Sequence, residues 1–185
     1  MSNHTTKFEQ LLQSLSADVI ASNTITNKFY EQFDVKRGLR NSDGSGVLAG
    51  LSQISSVVGT KKSAYGLQPV EGVLKYRGIS FSEIAASCKE AEKNHFERIC
   101  FLLLLGRYPS AEELSMFVGY MAAHREVPVE IIEGVIKGLP SKDIMNKLQT
   151  AVAALYGFDD NADNLDPIEH ALKTVRLIAK LPMIV

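Results

Sequence analysis

Phe96 to Leu105 (FERICFLLLL) carries only two charged side chains, Glu97 and Arg98, and is otherwise apolar. A helix over this run has almost no face suited to water, so it must be enclosed by other parts of the chain. A bilayer is excluded as the enclosure, because the unbroken apolar part, Ile99 to Leu105, falls far short of the roughly 20 residues that a membrane-spanning helix needs. Gly106 follows where a helix closes on a left-handed residue. After the turn Arg107 to Pro109, Ser110 and Glu113 have the spacing of a capping box. Leu114, Phe117, Val118 and Met121 then recur at helical spacing, which predicts an amphipathic helix reaching Arg125.

A chain of 185 residues with 45% apolar side chains can bury a substantial core. Twenty basic against twenty-one acidic residues leave a net charge of −1, too little for a general attraction to nucleic acid or to an anionic membrane, and neither partner is expected. Cys88 and Cys100 lie in predicted helices without metal-ligand or C-x-x-C spacing and are read as reduced thiols. Met1 to Ser22 has no basic segment followed by an apolar one, so a cytoplasmic location is expected.

Phe8, Leu11, Leu12, Leu15 and Val19 predict one amphipathic helix from Thr5 to Ala21, and Thr26 a second, short one carrying Phe29 and Phe33. The turn-forming NSDGSG of Asn41 to Gly46 leads into the extended Val47 to Val58. With Val73 to Tyr76 this predicts a small antiparallel ribbon, near residues 47–76, lying against helices. Ser80 and Glu83 are spaced to cap the next helix. Beyond Arg125, Pro128 opens a helix with the stripe Ile131, Ile132, Val135 and Ile136, ended by Gly138. Ser141 is the expected cap of a helix whose Ile144, Leu148, Ala151, Val152 and Leu155 share a face, closed by Gly157. Its alanines suit close helix contact, either inside the chain or between subunits. Asp166, Pro167 and Glu169 open a last helix that Pro182 should kink or end. Met183, Ile184 and Val185 are more apolar than a usual terminus, so a chain that continues is expected.

Signals for chemistry are weak. NSDGSG lacks the pattern of a phosphate loop and reads as a turn. Asp159, Asn161 and Asp163 have the opening spacing of a calcium loop, but Asn164 stands at the required glycine and His170 at the bidentate glutamate, leaving an interhelical loop. His4, His95, His124 and His170 are scattered, and no nucleophile elbow or metal pair accompanies them. Arg77 before Gly78 is read either as an exposed turn arginine or as an anion ligand.

Four segments in order, LKYRGIS (Leu74 to Ser80), HFERICFLLLLGRYPSAEEL (His95 to Leu114), LQTAVAAL (Leu148 to Leu155) and LIAKLP (Leu177 to Pro182), resemble the N-terminal part of a citrate synthase, and Val35 to Ser55 resembles that family's entry to the fold. The resemblance implies a mainly α, multi-helical large domain, present in part over residues 35–185 and preceded by a helical extension over 1–34. It implies a homodimer of the acyltransferase that condenses oxaloacetate with acetyl-CoA to citrate and CoA in the tricarboxylic acid cycle. In that family an aspartate removes a proton from the acetyl methyl while histidines polarise the carbonyls and arginines bind the carboxylates. Those catalytic motifs lie beyond Val185, so no catalytic, cofactor-binding or metal-binding residue is assigned here. Acetyl-CoA is a substrate of the longer enzyme, and this chain alone is expected to bind no cofactor and to be inactive. Asp143, Ile144 and Met145 replace a His-Pro-Met lead common in the family. By the same resemblance Leu114, Phe117, Val118, Met121, Leu148, Ala151, Val152 and Leu155 are the expected dimer-interface residues. A 2-methylcitrate synthase fragment and a non-enzymatic helical dimerisation module are the alternatives.

Overall fold

A computed structural model of the chain describes residues 3–33, 35, 47, 50–90 and 93–185. The expected turn Asn41 to Gly46 lies outside them. The architecture is mainly helical with one small antiparallel sheet, as expected. Two compact units share the chain, one made of Met1–Ala17 with Pro109–Val185, the other of Asp18–Tyr108. Contacts of α1 with the later helices place it in the first of these units.

The single helix expected over Thr5 to Ala21 is two, α1 (Asn3–Ser14) and α2 (Ser16–Asn23). At Leu15 the backbone N–H is shared between the carbonyls of Leu11 (3.0 Å) and Leu12 (3.2 Å), a tightening that breaks the helical run. The short helix α3 (Asn27–Gln32) follows Thr26, whose backbone takes the cap conformation while its side chain makes no cap bond. Phe29 and Phe33 stack at 6.2 Å.

The ribbon is longer and barer than expected. Strand β1 (Ser55–Ser63) pairs antiparallel with β2 (Gly66–Tyr76), so that the ribbon extends beyond the expected Val58 and Val73 to a tip at Ala64–Tyr65, and β3 (Ile79–Ser80) joins only the root of β2. Val47 and Leu51 stand outside the strands. A register shift lies between Val58 and Thr60, where Gly59 faces the longer stretch around Val70. The ribbon does not lie flat on helices: Val57 is 76% and Tyr65 92% exposed, and nearly every residue of both strands faces water. Ribbon pairing here is set by the turn Ala64–Tyr65 and the root, not by a covered apolar face, which is why apolar alternation found only part of it.

Ser80 and Glu83 form the expected reciprocal cap of α4 (Phe81–Glu90), the serine hydroxyl accepting from Glu83 N at 3.2 Å and the carboxylate from Ser80 N at 3.0 Å. These bonds hold the Glu83 carboxyl below its usual range. Helix α5 (His95–Leu105) ends as expected on Gly106, whose φ of +80° lets its N–H reach the Leu102 carbonyl at 2.8 Å. Its burial is one-sided. Cys100, Phe101, Leu102 and Leu105 are buried, Leu103 and Leu104 only half so, and Phe96 in the first turn is 55% exposed. Full enclosure of this helix is therefore not what the chain achieves; the side beginning at Phe96 follows the exposed Lys93. Both cysteines are free thiols.

In the other unit, α6 (Ala111–Ala123) carries the complete Ser110–Glu113 capping box. Its Phe117 and Tyr120 pack on Phe8 of α1, with ring centroids 5.3 and 4.8 Å away. After Pro128 the stripe Ile131 to Ile136 forms a π-helix (Ile131–Lys137) rather than an α-helix. Gly138 closes it in the right-handed region (φ −74°) rather than with a left-handed turn, and glycine fits the place because a β-carbon would stand 2.6 Å from the Gly134 carbonyl oxygen. The Nζ of Lys147 donates to the carbonyls of Val135 (2.9 Å), Ile136 (2.8 Å) and Leu139, occupying acceptors at the end of the π-helix.

Helix α7 (Ile144–Leu155) is capped by Asp143, whose carboxylate accepts from Met145 N and Asn146 N; Ser141, the expected cap, instead holds the turn before it by accepting from Asp143 N. Gly157 does not terminate the helix but sits within a short 3-10 turn, Tyr156–Phe158. Helix α8 (Pro167–Ile184) has the expected Asp166 cap and first-turn proline. Pro182 neither ends nor interrupts it: so near the end, a proline forfeits only one bond, and Val185 N still reaches Leu181 O. Val127, Ile131, Ala151, Leu155 and Ile184 form one buried cluster, with Leu148 and Leu177 packed against it.

Candidate functional site

Lys173, Arg176 and Lys180 follow one another three and four residues apart, which puts them on one face of α8. This face forms a wall of a 570 Å³ cleft lined also by Glu126, Pro128, Leu155, Phe158 and the segment Asp159 to Asn161. Each cation first satisfies a local acceptor. Arg176 Nε donates to the Tyr120 hydroxyl at 2.8 Å, and its Nη1 stands 4.0 Å from Glu169. Lys180 Nζ donates to the His124 carbonyl at 2.8 Å, and Lys173 Nζ to the carbonyls of Ala162 and Asn164, both at 2.9 Å. Lys173 thereby pins the loop between α7 and α8.

Burial lowers the proton affinity of Lys180, and Arg176 lowers it further, while Glu126 opposes both. The Tyr120 phenol is pushed up by burial, partly offset by Arg176. Among the described lining residues there is no nucleophile paired with a base. The cleft is thus lined by both signs of charge, the cations of α8 and the carboxylates of Glu126, Asp159 and Asp160.

The residues expected at a dimer interface divide into two sets. Phe117, Met121, Ala151 and Leu155 are buried inside one chain, while Leu114, Val118, Leu148 and Val152 are half-buried. Ile144 and Met145, at the start of α7, are more exposed than either set. The sequence pattern marked the apolar faces but did not say which part of each face the chain covers itself.

Other candidates take structural positions. Arg77 is neither an exposed turn residue nor free for an anion, because its guanidinium donates to the carbonyls of Leu103 and Ser22. Of the histidines, His124 has Nδ1 2.8 Å from the Tyr120 carbonyl and its ring stacked on Tyr120, His170 is exposed on α8, and His95 Nδ1 is buried without a hydrogen-bond partner among the described residues. The His4 side chain lies outside the described set. Asp159 accepts from Asn161 N at 3.0 Å and Asp163 from the Tyr156 hydroxyl at 2.8 Å, so the calcium-like spacing serves as loop ties. Among the described residues no group of three or more His, Cys, Asp or Glu could hold a metal, and no helix is long and apolar enough to cross a membrane. The cleft itself was missed by sequence reasoning. Its one trace was Arg176 and Lys180, four apart on a helix whose other residues are mainly apolar.

Comparison with known proteins gives the same family throughout. The family model described as citrate synthase, C-terminal domain, matches residues 40–185. A citrate synthase from Synechocystis is 32% identical over 142 residues, covering 76% of this chain and 32% of the relative. A 2-methylcitrate synthase from Mycobacterium tuberculosis is 30% identical over 155 residues, covering 84% of this chain and 34% of the relative. The crystal structure of citrate synthase from Pyrobaculum aerophilum superposes with a TM-score of 0.58 at 26% identity, over 79% of this chain and 36% of that one. The chain spans between 25% and 35% of the length of the curated relatives named or comparable to these. With the match running from residue 40 to residue 185 and the helical framework shared, the chain belongs to the citrate synthase family.

Proposed function

We infer that this chain is the N-terminal scaffold of the large domain of a citrate synthase, the acyltransferase that joins oxaloacetate to acetyl-CoA in the tricarboxylic acid cycle, and that it carries framework rather than catalytic groups. The observation that carries this reading is the family match over residues 40–185 together with the chain's covering about a third of the length of its relatives. Forming an enolate needs a base at the methyl carbon and donors at the oxygen, held together out of water. His124 is engaged with the Tyr120 carbonyl and His170 faces solvent, so neither stands in such an arrangement. The test is citrate formation from oxaloacetate and acetyl-CoA, measured on this chain and on a version extended with the family's remaining segments. No citrate from the first and turnover from the second are expected. Turnover by the 185 residues alone overturns the scaffold reading.

The scaffold reading includes a homodimer formed through the half-covered flanks of α6 and α7, with Leu114, Val118, Leu148 and Val152 at its centre and Ile144 and Met145 beside them. Acidic replacements at Val118 and Val152 should shift the extended protein to monomer on sizing. The likeness to a 2-methylcitrate synthase over 84% of the chain supports a second reading, condensation with propionyl-CoA. The two acyl-CoA substrates, compared on the extended protein, separate them.

A further inference from the structure

Arg77 and Gly78 form the two-residue turn between β2 and β3, with Tyr76 facing Ile79 across it. Both have positive φ, +49° and +82°. Two successive left-handed residues in such a turn are the type I′ arrangement, where asparagine followed by glycine is strongly preferred. Arginine in the first place sets its β-carbon against the backbone, and an outlier of this kind persists only where the surroundings hold it. Here its own side chain does the holding. Nε and Nη2 donate to the Leu103 carbonyl at 2.9 and 2.6 Å, in the last turn of α5, and Nη1 to the Ser22 carbonyl at 2.7 Å, in the last turn of α2. The Arg77 backbone N–H donates to the Ile54 carbonyl at 2.7 Å, just ahead of β1. One residue therefore ties two helix ends to the root of the ribbon.

The chemistry suits both sides. Carbonyls in a helix's last turn lack intrahelical donors, and the negative end of the helix dipole favours a cation. A planar fork reaches two such acceptors at once, which a lysine ammonium on a flexible stem does less well. The ribbon for its part has no covered face, and two-stranded ribbons are marginal in water, so its order depends on how it is mounted.

We propose that Arg77 is a latch that fixes the exposed β1–β2 ribbon to the ends of α2 and α5, and that the strained turn is kept because only a side chain of this reach and shape closes it. The backbone and the side chain then make opposite demands on position 77. Asparagine relaxes the turn and removes the latch. Hydrogen exchange on the full chain, comparing the wild type with Arg77→Asn and Arg77→Lys, reads the difference. In Arg77→Asn, amides of Ser55–Tyr76 and of the last turn of α5 should exchange at least about tenfold faster while α8 stays unchanged. Arg77→Lys should show the same pattern at smaller amplitude, and it covers the case in which the asparagine variant does not fold. Wild-type or slower exchange in the ribbon of either variant overturns the proposal. So does acceleration spread evenly over the chain including α8, which marks general destabilisation.

Discussion

Replacing Ala151 with leucine puts three more carbon atoms into a place that holds none. Ala151 is 0% exposed and touches the cluster of Val127, Ile131, Leu155 and Ile184, with Leu148 and Leu177 behind it. Extra methylenes in a packed core force off-rotamer side chains and backbone shifts that cost about 1–3 kcal/mol. For a chain of this size each kcal/mol lowers the thermal midpoint by roughly 2–4 °C, so the expected fall is about 2–12 °C. The assay is thermal unfolding followed by circular dichroism over a wide range of protein concentration. Because Ala151 packs against residues of its own chain, the loss should be the same at every concentration. A residue at a subunit interface behaves differently, since its contribution rises with mass action. An unchanged midpoint would refute the packing argument, and a loss that varies with concentration would return Ala151 to the interface.

Further perturbations follow from the structure. Asp143→Ala should destabilise by about 1 kcal/mol through loss of the α7 cap, and Ser141→Ala by less, a ranking that paired denaturant titrations test. Lys147→Met removes charge-assisted bonds to the carbonyls of Val135, Ile136 and Leu139; with the lysine partly open to solvent, the cost should be roughly 1.5 kcal/mol, with faster amide exchange confined to Ile131–Lys137. Burial, with Glu97 adding to it, pushes the Cys100 thiol from 9.0 up to about 11. The folded chain then holds this proton more tightly than the unfolded chain, so its stability contribution is intact below pH 9.0 and is lost as pH rises through about 11. Cys100→Ala should remove that alkaline slope, and a thiol reagent at neutral pH should label the half-buried Cys88 before Cys100.

Local chemistry was the most legible part of the chain. The caps at Ser80, Ser110 and Asp166 are complete within a few residues of sequence, and the structure contains each of them. Family membership was legible for a related reason, because several short segments kept their order. Interactions between distant residues left no such trace. Nothing near Arg77 announces the carbonyl of Leu103, and nothing near Lys147 announces the end of a helix that precedes it. The π-helix has the same apolar spacing that an α-helix would show, so composition cannot separate them. The ribbon was underestimated because strands wetted on both faces have no reason to alternate. The cleft was missed because its lining is drawn from the segment after α6, the loop after α7 and one side of α8, and only folding brings these together.

The wetted ribbon has a practical consequence. Its tip, Ala64–Tyr65, touches little beyond its own strands, and the bonds there are between Ser63 and its near neighbours. A short peptide tag or a fluorophore grafted at that point burdens neither helical core, and exposed tips of this kind accept additions readily. It is the natural handle by which to immobilise or observe the molecule.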